Sequence, residues 1–235
     1  MMKLSPRLQK IAALVNSAKV ADIGTDHAFL PVYLAREQRM EKLIATDLNS
    51  GPLAIAAKQI NDSECSDLIE LRQGSGLSCL VPGEVDEIVI AGMGGELIAD
   101  ILAEGLPAAK KSRRLILQPM SKSAELRAFL NQQGFSLVEE ALAREDHHIY
   151  EIIVAEWTGR SEAYTALEIK FGPCLLSQGG ELFYLFLKQK KEKCEKILAV
   201  LADKEGNRVR KEEQLLRKEL AQLKEAEQWL KHRQL

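Results

Sequence analysis

The sequence predicts an α/β domain with a seven-stranded sheet, followed by a helical hairpin. Five short apolar runs alternate with amphipathic segments over residues 19–134, which is typical of parallel strands joined by right-handed helical crossovers. Two further apolar runs follow with almost nothing between them, and from Glu181 the chain is nearly continuous in helix-forming residues. We therefore expect one large domain over residues 1–160, and a connector with an antiparallel coiled coil over residues 161–235.

The first element is a predicted helix, because the apolar part of MMKLSPRLQKIAALV is short and amphipathic and lacks the small-residue cleavage site of a signal peptide. The runs that follow are rich in leucine and β-branched residues and are bounded by Gly, Pro or Asp, as buried parallel strands are. These predicted strands cover residues 19–24, 42–48, 68–74, 86–93 and 113–119. The predicted helices between them include residues 51–62, 95–105 and 123–134.

The sheet is expected to close with a hairpin, since residues 135–146 and 147–159 both have the pattern of a strand and no helix separates them. Two strands joined in this way pair antiparallel. Five parallel strands closed by an antiparallel hairpin are the order of the class I, Rossmann-like methyltransferase sheet. A plain dinucleotide-binding fold more often continues its strand–helix alternation.

The C-terminal segment has the pattern of two helices that pack against each other. Residues recur at spacings of three and four on both sides of a Gly-Asn turn within residues 204–208, which indicates an imperfect heptad repeat. The polar members of the repeat predict a seam that is weak or locally open. The repeating positions are Leu187, Lys190, Cys194, Ile197 and Leu201, then Val209, Glu212, Leu216, Glu219, Leu223, Ala226 and Leu230.

Composition excludes several classes of protein. Hydrophobic residues make up 46% of the chain, which is enough for a folded core. No apolar stretch approaches the ~18 residues of a membrane span, so we expect no membrane partner. The four cysteines form no C-x-x-C pair and no histidine cluster accompanies them. We therefore expect no metal site, reduced thiols and a cytoplasmic location.

Charge is divided unequally along the chain. Residues 1–159 carry 16 Lys and Arg against 22 Asp and Glu, a balance of −6, whereas residues 160–235 carry 16 against 12, a balance of +4. The basic segment is either a solvated helical surface or a contact for a polyanion. The sequence leaves that choice open, as it leaves the oligomeric state open between a monomer and a weak dimer.

Ligands of open α/β sheets lie at the carboxyl ends of the strands, so the residues after each apolar run form the candidate site. The first loop offers two acids and an imidazole where a pyrophosphate-binding loop would have glycines, and its candidates are Asp22, Gly24, Thr25, Asp26 and His27. Two acids repel a pyrophosphate but suit a cationic cofactor such as S-adenosylmethionine, which carries a sulfonium and an ammonium. The structural alternative is that Asp26 caps the helix whose first turn contains Pro31.

The next two loops supply candidates for the ribose and the adenine of such a cofactor. Asp47 stands 25 residues after Asp22, where an acid typically accepts hydrogen bonds from both ribose hydroxyls. The alternative for Asp47 is a turn-forming role. Leu48 follows it in the candidate set, and Gly74 and Ser75 form a flexible turn in which Ser75 is the candidate adenine contact.

The fourth loop, AGMGGE, is rich in glycine. Because glycine has no side chain, a flat ring can lie against the backbone at Gly92. Met93 either packs on the adenine or belongs to the core. The loop lacks the Asp/Asn-Pro-Pro-aromatic sequence of amino-group methyltransferases, which favours a ring nitrogen with a free lone pair as the acceptor. After the fifth run, Gln118 either hydrogen-bonds a substrate base or stabilises the strand end.

These segments together resemble the bacterial tRNA (adenine-22, N1)-methyltransferase family. The matching segments span most of residues 7–156 in the same order and spacing, and they are RLQKIAALV, ADIGTDHAFLP, IATDLNSGPL, IVIAGMGGELI, LILQPM and IYEIIVAE. One departure is Ser75, where the family more often has Asp or Asn, and this puts the adenine contact there in question. The resemblance implies a class I sheet, a C-terminal coiled coil, tRNA as partner and S-adenosyl-L-methionine as cofactor.

The resemblance further implies transfer of a methyl group to N1 of adenosine 22 in the D-arm region of tRNA. N1 lies on the Watson–Crick edge, so the base must be exposed to react. The product base is cationic, and a carboxylate near the acceptor favours the charge that develops there. Asp26 is the catalytic candidate for this role, with His27 as an orienting or cofactor-contacting residue. Two rival functions stay open: an NAD-dependent oxidoreductase on a related sheet, and a non-catalytic RNA-binding adaptor.

Overall fold

The computed structural model describes residues 3–37, 40–202, 204 and 206–233. The chain divides into two compact units, Met1–Ala163 and Tyr164–Leu235. This division falls three residues after the boundary that we expected from the sequence. All seven strands belong to the first unit, and the elements of the second unit are helices.

The strands of the first unit form a single sheet. They are β1 (Lys19–Ile23), β2 (Lys42–Asp47), β3 (Ile69–Gln73), β4 (Glu87–Gly94), β5 (Arg114–Ser121), β6 (Phe135–Glu145) and β7 (His148–Trp157), and their order in the sheet is β3-β2-β1-β4-β5-β7-β6. The first five strands pair in parallel, and β7 pairs antiparallel with both β5 and β6. The predicted α/β sheet with its closing hairpin is therefore confirmed.

Among the described residues, six α-helices and a short 3-10 helix (Gly76–Cys79) accompany this sheet. The α-helices are α1 (Pro6–Leu14), α2 (Phe29–Glu37), α3 (Ser50–Asp62), α4 (Gly95–Glu104), α5 (Leu106–Lys111) and α6 (Ser123–Gln132). The start of α1 follows from local sequence, because the Ser5 side chain accepts a hydrogen bond from the Leu8 amide and Pro6 takes the first helical position. The short helix α5 was not predicted.

The core lies on both faces of the sheet. One cluster joins α1, α2 and α3 to alternate strand residues, and Ile11, Leu34 and Ile60 are among its buried members. Helices α4 and α6 pack against each other and against β5 outside that cluster, with Ile98 and Leu126 fully buried. Two covered faces explain why the strands read as continuous apolar runs rather than alternating ones.

A buried ion cluster fastens α6 to the closing hairpin. Arg127 donates from Nε to Glu140 Oε1 and from Nη2 to Glu151 Oε2, both at 2.7 Å. All three side chains are buried. Because an unpaired buried charge costs several kcal/mol, this cluster holds α6 in one position against β6 and β7.

The second unit contains α7 (Ala166–Phe171), α8 (Pro173–Gln178), α9 (Glu181–Leu201) and α10 (Asn207–Arg233). The segment expected as a connector over residues 160–180 thus holds two short helices, of which α7 starts with a capping box between Thr165 and Glu168. The two long helices run antiparallel, and Lys191 of α9 pairs with Glu227 of α10 at 3.1 Å. The predicted repeat is buried at Leu223, Ala226 and Leu230, but Glu212 near the turn is exposed.

The described residues carry neither a metal centre nor a membrane-crossing helix. No three His, Cys, Asp or Glu side chains among them are grouped to hold a metal ion. None of their helices combines the length and the apolar character that crossing a membrane requires. The four cysteines are free thiols.

Candidate active site

The carboxyl ends of β1 and β4 meet α1 around a cavity of about 560 Å³. This volume lies within the range of small-molecule sites, roughly 300–1,000 Å³. Its lining comes from the loop after β1, from the end of β4 and from the N-terminal segment that leads into α1. The lining includes five of the predicted first-loop residues, namely Asp22, Gly24, Thr25, Asp26 and His27, and also Gly92 and Met93.

Asp22 is the buried acid of this cavity. Its carboxylate accepts a hydrogen bond of 2.7 Å from Thr25 Oγ1. Burial raises the pKa of the Asp22 carboxyl to about 6, the bond from Thr25 opposes the rise, and the nearby charge of Asp47 adds to it. A cation bound beside Asp22 would favour its ionised form, which is the arrangement that a cationic cofactor needs.

Gly24 makes the turn that opens the loop. Its φ of 73° lies in the left-handed region, and the amides of Gly24 and Thr25 both donate to the Thr46 carbonyl at 2.8 Å. A Cβ at position 24 would collide with Met93 Cε. The turn therefore requires glycine for its backbone conformation, whereas the flexible end of the Met93 side chain could move away from a Cβ.

Asp26 and His27 stand at the mouth of the cavity in a strained turn. Asp26 and Ala28 have φ values of 53° and 55°, which are uncommon for residues other than glycine. The Asp26 carboxylate lies 3.4 Å from His27 Nε2, and the His27 ring stacks on Phe29 with 5.4 Å between centroids. Within the described residues, the Asp26 side chain bonds to no amide of α2, so the helix-cap alternative is wrong.

Asp47 ends β2 beside this turn. Its Oδ1 accepts from the Asn49 amide at 3.0 Å, as the turn-forming alternative requires. Its Oδ2 accepts from the Asp26 amide at 3.4 Å. Asp47 therefore has a local structural role and also connects the second strand end to the loop that carries Asp26.

The remaining predicted contacts continue along the same edge of the sheet. Leu48 is 61% exposed. The Gly74 amide donates to the Asp47 carbonyl at 3.1 Å, and Ser75 is exposed at the end of β3. The structure brings these residues next to Asp47, but they do not line the cavity that holds Asp22 and Asp26.

The Gln118 side chain accepts a hydrogen bond at the bulge that ends β4. Gly92 interrupts the register of β4 at a bulge, with φ 81°, and its amide donates to Gln118 Oε1 at 3.1 Å. The Gln118 side chain is fully buried and donates from Nε2 to the Pro119 carbonyl at 3.0 Å. Of the two alternatives for Gln118, the structure favours stabilisation of the strand end, because its polar atoms are engaged inside the protein.

Sequence reasoning missed Arg7, which also lines the cavity. Its Nη1 donates to Gln118 Oε1 at 2.6 Å, and its guanidinium lies 5.7 Å from the centre of the Tyr150 ring. One sequence pattern points to it. Ser5 and Pro6 begin the helix, so Arg7 falls in its first turn. The helix dipole disfavours a cation in that position, which indicates that another interaction holds Arg7 there.

With this geometry in place, comparison with known proteins identifies the family. The family model described as TrmK, tRNA (adenine(22)-N(1))-methyltransferase, matches residues 20–225. The chain belongs to the TrmK family. A Bacillus subtilis tRNA (adenine(22)-N(1))-methyltransferase is 37% identical over 227 residues, which are 93% of this chain and 95% of that relative.

Two solved structures from the same comparison carry cofactor species. A Streptococcus pneumoniae protein in complex with S-adenosyl-L-methionine is 32% identical with a TM-score of 0.85, and the match covers 95% of this chain and 99% of that chain. Mycoplasma capricolum TrmK in complex with S-adenosyl-homocysteine is 25% identical with a TM-score of 0.83, covering 97% and 100%. The resemblance to this family is confirmed, as are the class I fold and the predicted enzyme class. TrmK membership decides against the NAD-dependent and the non-catalytic alternatives.

Proposed function

We propose that this chain methylates N1 of adenosine 22 in tRNA, with the cofactor held by the loops after β1, β2 and β3 and with Asp26 acting beside the acceptor base. The observation that carries the proposal is the single cavity in which a buried acid, Asp22, and an exposed acid, Asp26, face the same space in a TrmK-family chain. The loop after β1 brings two acids to this cavity, where a pyrophosphate cofactor would require the opposite charge.

The residues present fit S-adenosylmethionine. Asp22 supplies a buried carboxylate for a positive group, Gly24 offers bare backbone, and Asp47 presents oxygens for ribose hydroxyls. Leu48, Gly74 and Ser75 continue towards the adenine. When bound, the cofactor supplies a methyl group on a sulfonium: the N1 lone pair takes the methyl as the carbon–sulfur bond breaks, and the positive charge passes from sulfur to the base.

Asp26 is placed to stabilise that charge on the base. Its side chain is 66% exposed, so a base entering the cavity mouth reaches its carboxylate. A carboxylate already in position beside a developing cation lowers the barrier, because it needs no reorganisation during the reaction. His27 Nε2, at 3.4 Å, orients this carboxylate, and the Asp26 amide connects it to Asp47 on the cofactor side.

The long helix α10 is the proposed tRNA contact. Its cations repeat every seven residues at Arg210, Arg217 and Lys224, with Lys211 and Lys218 beside them, and all five are exposed. Seven helical residues advance about 10.5 Å, so these cations form a stripe along one face. Contacts with phosphates position a nucleic acid without reading its sequence. A tRNA substrate also supports a cytoplasmic location.

The function is tested by incubating the protein with S-adenosylmethionine and a tRNA transcript, followed by mass-spectrometric mapping of modified bases. We expect one added methyl at N1 of adenosine 22, and none at that position in a transcript with guanosine 22. Methylation at another position, or on the exocyclic amine, would overturn the assignment of the acceptor. Tight binding of S-adenosylhomocysteine without turnover on any tRNA would overturn the enzymatic function.

A further inference from the structure

We propose that His148, at the tip of the β6–β7 hairpin, stacks on a base that neighbours adenosine 22 of the tRNA, and that Tyr150 holds the imidazole ring in position. The inference rests on the proposed function, because it names a contact between the substrate and the rim of the same site. The contact is separate from the cofactor, and it differs in kind from the phosphate contacts proposed for α10.

The hairpin tip, residues 144–148, stands at the rim of the active-site cavity. Strand β7 runs antiparallel to β5, so its first residues lie at the carboxyl end of that strand, on the edge of the sheet that carries the candidate site. Glu145, the last residue of β6, lines the cavity, and its direct cross-strand partner is His148. The Cβ atoms of such partners are roughly 4.5–5.5 Å apart, so His148 lies next to the cavity wall.

One row of side chains along β7 passes from the core to the surface. Alternate residues of a strand share a face, and this row consists of Val154, Ile152, Tyr150 and His148. Val154 and Ile152 belong to the buried cluster that α1 covers, Tyr150 is half-buried, and His148 is exposed. The row therefore ends in two rings, of which the outer one is open to a ligand.

The two rings are stacked, and the inner one is held from within the protein. Their centroids are 6.0 Å apart with 22° between the ring planes, which is an offset-stacked arrangement that aromatic pairs prefer. The guanidinium of Arg7 lies 5.7 Å from the Tyr150 centroid, and Arg7 Nη1 donates to the buried Gln118 Oε1 at 2.6 Å. His148 thus packs on a ring whose position is already determined.

The imidazole of His148 lacks a polar partner in the protein. Within the part of the chain that the structure describes, it forms no hydrogen bond and no ion pair, although Glu145 lies opposite on β6. An exposed ring of this kind suits an unpaired RNA base, because every base presents a π-face. An adenosine whose N1 reacts must leave its stack, so its neighbours lose a stacking partner. His148 at the cavity rim can replace that partner.

A phosphate is the competing ligand for His148. Residues 144–148 carry one Arg against one Asp and one Glu, so the charge of the hairpin tip does not favour a polyanion. A phosphate contact needs the imidazolium charge and depends on salt, whereas stacking needs only a flat ring. The two ligands therefore predict different results for a ring that carries no charge.

The test measures kcat/KM for methylation of a tRNA transcript by wild type, His148→Ala and His148→Phe. We expect His148→Ala to lower kcat/KM about 5- to 150-fold, the range that follows from removing an aromatic ring that stacks on a base. His148→Phe should restore most of the loss, and the affinity for S-adenosylhomocysteine should stay at the wild-type value in both variants. The control is His147→Ala, which removes the adjacent exposed imidazole from the turn and should react as wild type does.

Two altered substrates locate the base that stacks on His148. In each transcript, one neighbour of adenosine 22 is replaced by an abasic nucleotide. On one of the two, we expect His148→Ala and wild type to react at the same rate, because the base that would contact His148 is already missing. If the effect of His148→Ala is unchanged on both transcripts, no base next to adenosine 22 is the ligand and the proposal is wrong.

Two further outcomes would overturn the stacking contact. In the first, His148→Phe stays as impaired as His148→Ala, which would show that the polar atoms of the imidazole are used and not its face; a flattened salt dependence of tRNA binding would then assign His148 to a phosphate. In the second, His148→Ala reacts as wild type does at an unchanged melting temperature. A wild-type protein that methylates no tRNA contradicts the proposed function itself and is thereby distinguished from both outcomes.

Discussion

The two units of the chain differ in how their proposed binding residues are arranged. In the first unit, single residues at strand ends occupy positions that depend on a particular turn, as Asp26 does beside Gly24 and His27. In the second unit, exposed cations repeat along a helix and none depends on a special backbone conformation. The first unit carries a balance of −6 and the second +4.

This difference teaches that a small cationic ligand and a polyanion place opposite demands on a protein. A cofactor must be held in one geometry, so a single substitution at Asp22 or Asp47 is expected to be severe. A tRNA is held by many screened phosphate contacts, so single losses are small and accumulate. Substitutions confined to one unit should therefore change one binding equilibrium and leave the other intact.

The largest expected effect is on the first unit, at Asp47. Asp47→Ala removes the proposed pair of charge-assisted bonds to the ribose, each worth about 1.5–3 kcal/mol. We expect the affinity for S-adenosylhomocysteine to fall about 100-fold or more, and tRNA affinity to stay near wild type. Asp67→Ala, an exposed acid of the same unit, is the control. Unchanged calorimetric affinity for Asp47→Ala would refute the ribose role.

The second prediction concerns α10. Replacing Arg210, Lys211 and Lys218 by Gln should weaken tRNA binding about 10- to 100-fold at low salt, and should flatten its dependence on salt by about 0.7–0.9 in slope per lost phosphate contact. The affinity for S-adenosylhomocysteine should not change.

The matched control for α10 lies in the first unit. Lys58, Lys111 and Arg113 are exposed there, and replacing them by Gln removes the same charge. If this control weakens tRNA binding as much as the α10 variant does, then net charge determines tRNA affinity and the position of the cations on α10 does not. If neither variant changes the salt slope, α10 is a solvated or dimerising helix.

The third prediction separates chemistry from binding within the first unit. Asp26→Asn keeps the size of the side chain and removes its charge. We expect the single-turnover methylation rate to fall about 10- to 100-fold, with S-adenosylhomocysteine affinity within about twofold of wild type. A normal rate in a correctly folded variant would show that the Asp26 charge does not act on the base.

The last prediction is a gain in stability at Asp22 rather than a loss of binding or rate. Folding raises the pKa of this carboxyl from 3.8 to about 6. The free energy of unfolding therefore decreases as the pH rises from about 4 to 6, and the loss persists above pH 6. Asp22→Asn removes this penalty, and we expect it to be more stable than wild type by about 3 kcal/mol at pH 8 and by much less at pH 4.

Denaturant unfolding at both pH values measures this difference. The same variant should bind S-adenosylhomocysteine more weakly, because it lacks the negative charge. A stability difference between variant and wild type that is equal at pH 4 and pH 8 would contradict the burial of an ionisable carboxyl at Asp22.

The sheet and its site edge were predictable because they depend on local patterns. Apolar runs bounded by Gly, Pro or Asp mark strands, and Asp22, Asp26 and Asp47 follow from where those runs end. Helices as short as α5, α7 and α8 leave weak patterns, because helices of this length are stabilised mainly by tertiary packing.

Other features of the site depend on contacts between distant segments. Arg7 reaches the cavity because α1 packs against β5 and β6. Gln118 turns inward because Gly92 and Arg7 both donate to it. The left-handed backbone at Asp26 and Ala28 also has no sequence pattern of its own. The sequence alone therefore does not distinguish a helix cap from a cavity-facing carboxylate at Asp26, and the backbone conformation in the structure does.

The most direct test of the division between the units measures both binding equilibria on the same preparations. S-adenosylhomocysteine affinity and tRNA affinity would be determined across a salt series for wild type, for Asp47→Ala and for the triple α10 variant. We predict that Asp47→Ala has reduced affinity for S-adenosylhomocysteine and unchanged, salt-dependent tRNA binding. We predict that the α10 variant has reduced tRNA affinity and unchanged affinity for S-adenosylhomocysteine. Loss of both affinities in either variant, at an unchanged melting temperature, would contradict the division.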